Sequence, residues 1–197
     1  MKVYDISQEV FGSVVFPGDP SPKKEQLLSI ENGDVCNLTA FSMCAHNGTH
    51  IDAPYHFINN GKTVEQIDLT KLVGYAYVCE HSGILSPQDA KAILERAEEL
   101  NSESAKKILI KGKATVSNEA AQIFADYGID LIGNESQTVG PEEAPKRAHE
   151  ILLSKEVVLL EGIRLSLIEE GVYLLCAAPL SLGGSDGAPV RAILISE

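Results

Sequence analysis

Residues 46–57 read HNGTHIDAPYHF and contain three of the chain's five histidines, His46, His50 and His56, around Asp52. Neutral imidazole and carboxylate groups are the usual protein ligands of divalent transition metals. Side chains two residues apart on an extended backbone point to the same side, which suits His50 and Asp52 to one ion. The glycine and the proline in the stretch argue against a long helix. We therefore predict a turn-rich loop that binds a divalent metal; the alternative is a histidine cluster without metal.

The composition is that of an ordinary globular protein with an acidic surface. The chain has 197 residues, of which 44% are hydrophobic and 22% charged, and its net charge is −12. This length fits a single domain spanning residues 1–197. The negative charge argues against nucleic acids and anionic membranes as partners, because both bind basic surfaces. No apolar run reaches the roughly 20 residues of a membrane span, and residues 1–7 show no signal-peptide pattern. We expect a cytoplasmic protein.

The number and spacing of the cysteines agree with a cytoplasmic location. The four cysteines are Cys36, Cys44, Cys79 and Cys176, and no two of them form a Cys-x-x-Cys pair. Scattered cysteines in apolar or strand-like contexts are typical of reduced thiols. We expect these thiols to be free and mostly buried, and we do not predict Cys44 to be a metal ligand.

The N-terminal third is rich in predicted strands. The pattern of residues 2–10 indicates one strand, and residues 24–31 and 35–44 indicate two more around the turn signal Asn32-Gly33. Between the first and second of these strands, Phe16 precedes a Pro-Gly turn, which predicts a rigid loop. The pattern leaves open whether Phe16 fills the core or forms a wall of a substrate pocket.

The remainder of the chain alternates between strands and helices. Ser86 and Ser117 are predicted N-cap residues of two helices, and a third helix is predicted for residues 145–154. The predicted strands are 75–80, 107–111, 130–133, 157–160, 172–177 and 192–195, with a turn at 183–189 between the last two. This alternation predicts an α/β fold with a mixed sheet, in which an antiparallel N-terminal layer packs against an α/β layer.

Two residues in the second half are candidates to complete a metal site. His149 lies in the third predicted helix, and Glu161 ends the apolar strand that follows it. A carboxylate at the carboxyl end of a buried strand is where α/β folds place functional groups. Spacing alone leaves open whether either residue is a ligand. The remaining histidine, His81, is interpreted as a solvent-exposed turn residue.

Five segments together carry a family resemblance. They are Phe16-Pro17-Gly18-Asp19, His46-x-Gly48-Thr49-His50-x-Asp52-Ala53-Pro54-x-His56-Phe57, Ala148-His149-Glu150-x-Leu152, Leu160-Glu161-Gly162 and the block from Pro179-Leu180 to Gly184-Ser185-Asp186-Gly187-Ala188-Pro189-Val190-Arg191-Ala192. They resemble the cyclase family of metal-dependent hydrolases, which includes bacterial kynurenine formamidases and isatin hydrolases. The second segment is specific, the others are weaker, and together they span almost the full length in the family's order.

The resemblance implies a fold, an assembly and a ligand set. The fold would be a swivelling β/β/α arrangement, and the chain would form a homodimer or a larger homo-oligomer. His46, His50 and Asp52 would bind one metal ion. Asp52 would bridge to a second ion that His149 and Glu161 also bind, and Glu161 is a second candidate bridge. The donor set favours two zinc ions per chain, while manganese also fits an oxygen-rich bridged pair.

The resemblance also implies a reaction. A metal-activated water would attack the carbonyl of a small aryl formamide or a related amide, and His56 would act as general acid and base. Phe16 stands where kynurenine formamidases have a substrate-contacting Trp, and this chain has no Trp. Together with a departure from the family pattern in residues 134–139, this leaves the substrate open. The alternatives are a cyclic-amide hydrolase or cyclase of the same family, and a non-catalytic protein that binds a metal or a small molecule.

Overall fold

The computed structural model describes residues 1–196, in which thirteen strands and three α-helices are found. The strands are β1 (Lys2–Asp5), β2 (Lys23–Leu28), β3 (Leu38–Ser42), β4 (His50–Asp52), β5 (Val73–Glu80), β6 (Gly83–Leu85), β7 (Lys107–Lys111), β8 (Ala114–Val116), β9 (Leu131–Asn134), β10 (Val158–Glu161), β11 (Gly171–Cys176), β12 (Gly187–Pro189) and β13 (Ile193–Ser196). The α-helices are α1 (Pro87–Leu100), α2 (Asn118–Tyr127) and α3 (Lys146–Leu153).

Nine strands form one mixed sheet in the order β1-β13-β11-β5-β7-β9-β10-β4-β12. Its centre, β5-β7-β9-β10, is parallel, and the strands on both sides of this centre pair antiparallel. Two small sheets, β2-β3 and β6-β8, stand apart from it. The predicted mixed α/β fold is confirmed. The N-terminal strands β1 and β4 belong to the antiparallel flanks of the large sheet.

Each face of the large sheet buries its own apolar core. Successive side chains of a strand point to opposite faces, so Ile108 and Ile110 of β7 pack under the helices, while Leu109 between them packs on the other face. All three helices contribute to the first core, including Phe124 of α2. Because both faces are covered, the central strands are continuously apolar, as the sequence of β7 predicts.

The predicted helix starts are confirmed by their caps. The Ser86 hydroxyl accepts a hydrogen bond from the Asp89 backbone N–H, and the Asp89 carboxylate accepts from the Ser86 N–H. This reciprocal arrangement satisfies two donors that the first turn of α1 leaves free. Ser117 caps α2 with a single hydrogen bond, which its hydroxyl accepts from the Ala120 N–H. Among residues 1–196, no helix combines the length and apolarity that crossing a membrane requires.

Four local predictions need correction. The strand predicted for residues 2–10 ends at Asp5, after which the Ile6 N–H bonds to the Ala192 carbonyl and the chain turns away. The β2-β3 hairpin has a wider loop than predicted, because the Asp34 carboxylate accepts from the Ser29 N–H. The predicted turn at 183–189 contains β12. Of the cysteines, which are free, Cys36 is exposed, contrary to the expectation of mostly buried thiols.

Candidate metal centre

Sheet register brings the first candidate ligands together. The stretch predicted as a turn-rich loop contains β4, a buried three-residue strand that pairs with both β10 and β12. His50 and Asp52 flank Ile51, so they share the sheet face that Ile51 does not use. Across the β4-β10 pairing, Glu161 is the direct partner of His50. The Nε2 atom of His50 lies 3.4 Å from Oε2 of Glu161.

Helix α3 covers this face of the sheet and brings His149 to the same place. The Nε2 atom of His149 lies 3.2 Å from Oε1 of Glu161 and 3.5 Å from Oδ2 of Asp52. On the other side of the ring, Nδ1 lies 2.8 Å from the Pro145 carbonyl oxygen, to which it donates. That hydrogen bond fixes the ring so that Nε2 faces the two carboxylates.

His46 completes the cluster from the loop before β4. Its Nδ1 atom lies 2.8 Å from Oδ1 of Asp52. The ring packs on Gly187 of β12, where an added Cβ atom would stand 2.6 Å from Cε1 of His46. A glycine is therefore required at that position for the ring to reach Asp52.

The five side chains form two groups of three that share Asp52. His46, His50 and Asp52 offer ligand atoms within 4.8 Å of one another, and so do Asp52, His149 and Glu161. The carboxylate of Asp52 directs Oδ1 to the first group and Oδ2 to the second. Glu161 likewise directs Oε2 to His50 and Oε1 to His149. This geometry offers a divalent cation two adjacent sets of donor atoms.

Burial and charge in the cluster favour cations. Asp52, Glu161, His50 and His149 are each at most 3% exposed. Burial by itself would raise the pKa of Asp52, but the imidazoles of His149 and His46 outweigh it and hold that pKa well below the ordinary value. An ionised carboxylate inside a protein needs positive charge beside it.

The imidazoles respond to the same carboxylates. Burial disfavours a charged ring, yet hydrogen bonds to Asp186 and Asp52 raise the pKa of His46 to about 11. For His149, burial is likewise outweighed by Asp52 and Glu161, which raise its pKa to about 10. Protons on these rings supply the positive charge that a cation would otherwise supply, and a bound cation would replace them.

One atom tests whether the residues fit a metal. Within residues 1–196, the buried Oδ2 atom of Asp52 has no hydrogen-bond partner. An unpartnered carboxylate oxygen in a buried site costs free energy unless something else is bound to it. Imidazole nitrogens and carboxylate oxygens surround that atom, and they are the donor types that zinc and manganese accept. The residues present therefore fit a divalent cation.

The candidate ligands are themselves held by hydrogen bonds. The Val139 backbone N–H donates to Oε1 of Glu161 at 2.7 Å, and Nδ1 of His50 lies 3.1 Å from the Gly48 carbonyl oxygen. Such contacts orient metal ligands in known metalloproteins. Val139 belongs to the segment 134–139 that departs from the family pattern, yet its contact uses only the backbone.

A cavity of about 240 Å³ opens over the cluster. Phe16, His56 and Phe57 line it together with three of the cluster histidines and Glu161. Phe57 packs against two of the rings, with its centroid 4.5 Å from that of His56 and 4.8 Å from that of His149. Phe16 is thus a wall of the cavity rather than part of the core. Its contact with a substrate remains a prediction.

Sequence reasoning missed Asp186. Its Oδ2 atom lies 3.0 Å from Nε2 of His46 and 3.0 Å from Nδ1 of His56. The hydrogen bond from His46, followed by that from His56, holds the pKa of Asp186 well below its ordinary value. Asp186 lies in the C-terminal segment of the family resemblance, but neither that resemblance nor the turn pattern of residues 183–189 assigns it a role. His81 follows β5 and takes no part in the cluster.

Comparison of this sequence with known proteins shows which family the chain belongs to. The Cyclase family matches residues 4–141 of this chain. A kynurenine formamidase of Bacillus anthracis is 32% identical over 207 residues, covering 98% of this chain and 97% of that protein. The chain belongs to the cyclase family. By its full-length similarity to proteins named kynurenine formamidase, it is a hydrolase of carbon–nitrogen bonds other than peptide bonds.

Solved structures agree with the fold. A protein described as a potential metal-dependent hydrolase with cyclase activity matches with a TM-score of 0.81 and 29% identity, over 98% of this chain and 96% of that one. Isatin hydrolase A of Labrenzia aggregata matches with a TM-score of 0.82 over 100% of this chain and 94% of that one. At 19% identity, the second match bears on the fold alone.

Proposed function

We propose that this protein is a metal-dependent amidase that hydrolyses a small aryl formamide, as a kynurenine formamidase does. One observation carries the proposal. Asp52 and Glu161 each direct one carboxylate oxygen toward His149 and the other toward His46 or His50, inside a buried cluster. Full-length relatives named kynurenine formamidase, at 32% identity, support the formamide as substrate.

In this proposal His46, His50 and Asp52 hold one divalent cation, and Asp52, His149 and Glu161 hold a second. The imidazole and carboxylate donors suit zinc, and manganese is the second candidate. When bound, such cations polarise a carbonyl group and lower the pKa of a water molecule toward neutrality. The helix and the sheet hold the ligands in place from opposite sides.

The other residues of the cavity bind substrate and move protons. Phe16 and Phe57 offer apolar surface to an aryl ring. The cavity volume, about 240 Å³, limits the substrate to a small molecule, since drug-sized ligands occupy pockets of roughly 300–1,000 Å³. His56 stands at the cavity beside the cluster and is the residue that delivers a proton to the leaving nitrogen.

Turnover of a substrate panel tests the proposal. The purified protein, loaded with zinc or with manganese, is assayed with an aryl formamide, an aryl lactam and an aryl ester. We expect formamide hydrolysis that is lost with a chelator and restored by the cation. Faster opening of the lactam would favour the cyclic-amide alternative, and no turnover of any compound by the metal-loaded protein would contradict the proposal.

We further propose a homodimer in the cytoplasm, with residues 1–197 as a single domain. One sheet pairs β1 with β13, so both ends of the chain belong to one structural unit.

The separate β2-β3 hairpin exposes Leu27, Leu38 and Phe41, which are 46–59% exposed. A two-stranded hairpin is marginally stable alone, and an apolar one is stabilised by packing on a second copy. Light scattering of the native protein and of Phe41→Asp tests this, because a monomeric native protein would contradict it.

A further inference from the structure

Asp186 makes the same contact with two different histidines. Its single Oδ2 atom lies 3.0 Å from Nε2 of His46 and 3.0 Å from Nδ1 of His56. A carboxylate oxygen at this distance accepts hydrogen bonds. Each of the two ring nitrogens that face it must therefore carry the hydrogen.

The position of that carboxylate is set by the sheet. The Asp186 backbone carbonyl accepts from the Ala53 N–H at 2.9 Å, and the next residue, Gly187, pairs with Asp52 across β12 and β4. The Ser185 hydroxyl donates to the Gly187 carbonyl oxygen at 2.6 Å, which tightens the turn. Asp186 is thus anchored to the strand that carries the candidate ligands, although its own side chain is 42% exposed.

The two histidines that share Asp186 also lie against each other. Their ring centroids are 4.0 Å apart, with an angle of 31° between the ring planes. His46 uses its other nitrogen, Nδ1, to face Asp52. Because Nδ1 of His56 faces Asp186, Nε2 is the nitrogen of that ring that is free to exchange a proton with a substrate.

We propose that Asp186 is a positioning residue that fixes the tautomers of both His46 and His56 and so couples a metal ligand to the proton carrier. This inference rests on the proposed function of the site. In it, Asp186 holds the hydrogen on Nε2 of His46, which keeps Nδ1 as the ligand atom. The same oxygen holds the hydrogen on Nδ1 of His56, which keeps Nε2 as the base.

The other two candidate ligand histidines offer a comparison. His50 and His149 each direct Nδ1 to a backbone carbonyl, that of Gly48 and that of Pro145. A backbone carbonyl fixes one ring and carries no charge. Asp186 fixes two rings and is anionic, so it can also stabilise positive charge on His56 when that ring accepts a proton.

The first test reads the tautomer directly and needs no substrate. Protein labelled with ¹⁵N-histidine and saturated with zinc is examined by two-bond ¹H–¹⁵N NMR at pH 8.5, with His56→Asn used to assign the His56 signals. We expect the hydrogen of His56 on Nδ1 in the native protein and partly or wholly on Nε2 in Asp186→Ala, which has no acceptor at that position. A hydrogen on Nε2 in the native protein, or the same tautomer in both proteins, would overturn the proposal.

The second test separates positioning from loop structure. Asp186→Asn is expected to lower kcat for an aryl formamide by about 10–100-fold, with KM changed less than about two-fold and two zinc ions still bound at saturation. Glu65→Gln is the matched control, because Glu65 holds the same loop through the Gly184 N–H and lies outside the metal cluster. An equal loss of kcat in both variants would overturn the proposal. Failure of the native enzyme to hydrolyse any amide would refute the proposed function alone, since the NMR result stands without turnover.

Discussion

Glu161 stands directly opposite His50 across the antiparallel pairing of β10 with β4, and their side chains approach to 3.4 Å on the sheet face that α3 covers. The centre of the site is therefore positioned by sheet register rather than by a flexible loop. A rigid scaffold of this kind holds ligands in the geometry that metal binding requires, without ordering a loop at the moment of binding.

Replacing Glu161 by Gln should reduce bound zinc selectively. The amide keeps the size of the side chain but removes the charge that faces both His50 and His149. We expect zinc content to fall from two to about one per chain, and kcat for an aryl formamide to fall by at least about 100-fold. Elemental analysis after dialysis checks the first value. Glu156→Gln, at an exposed surface pair with Lys62, is the control, and two tightly bound zinc ions in Glu161→Gln would contradict the assignment.

Replacing His56 by Asn should separate chemistry from metal binding. His56 contacts Asp186 rather than Asp52 or Glu161, although His46, His56 and Asp186 form a third group whose possible ligand atoms lie within 4.8 Å of one another. We expect both zinc ions to be retained while kcat falls by roughly 10²–10⁴-fold, the range that general acid–base catalysis contributes. His149→Asn is the contrasting variant and should lose metal. Loss of zinc from His56→Asn would show that His56 is a ligand instead.

Replacing Gly162 by Ala should destabilise the protein. Gly162 follows Glu161 with φ of +69°, a left-handed conformation, and an added Cβ atom would stand 2.5 Å from the Gly48 carbonyl oxygen. Conformational strain and overpacking together predict a loss of about 2–5 kcal/mol in the free energy of unfolding. Urea denaturation in the presence of a chelator measures this loss without a contribution from metal.

Gly183→Ala is the matched control for that substitution. Gly183 has no heavy atom within 4 Å of the position of a Cβ atom. We expect its unfolding free energy to change by less than about 0.5 kcal/mol, the usual range for surface substitutions. Equal effects of the two substitutions would contradict the role given to the turn at Gly162.

The cysteines should react with a thiol reagent at very different rates. Burial raises the pKa of Cys79 to about 12. Even at pH 9, only about one Cys79 thiol in a thousand is therefore ionised. Cys36 is exposed. We expect one rapid reaction, abolished by Cys36→Ser, while Cys79 reacts only after unfolding at either pH. Rapid labelling of Cys79 in the native protein, detected by peptide mass spectrometry, would contradict its burial.

Much of the fold was predictable because local signals agreed with the final packing. Ser86 and Ser117 begin helices, and the apolar run of β7 is a buried central strand, as their sequences indicate. The extent of β1 was not predictable, since the chain leaves the sheet at a point set by a bond between Ile6 and Ala192. Short strands such as β12 exist only through pairing with a distant partner, and no periodicity over three residues reveals them.

Some residues of the site were predictable from residue types alone, others only from the family resemblance, and one was not predicted. The histidine-rich stretch identified its first half from residue types alone. His149 and Glu161 needed the family resemblance, because they meet Asp52 only through the β4-β10 register and the packing of α3. Asp186 was missed because it lies 130 residues from His56 in the chain, within a segment whose glycines suggest only a turn.

The number of zinc ions bound per chain tests the central claim most directly. Protein freed of metal with a chelator is dialysed against a limiting series of zinc concentrations, and bound zinc is measured beside that of Asp52→Asn. We predict two ions per native chain and fewer than one in the variant, because Asp52 belongs to both ligand groups. Fewer than two ions bound by the native chain at saturation, or two bound by the variant as tightly as by the native chain, would contradict the account.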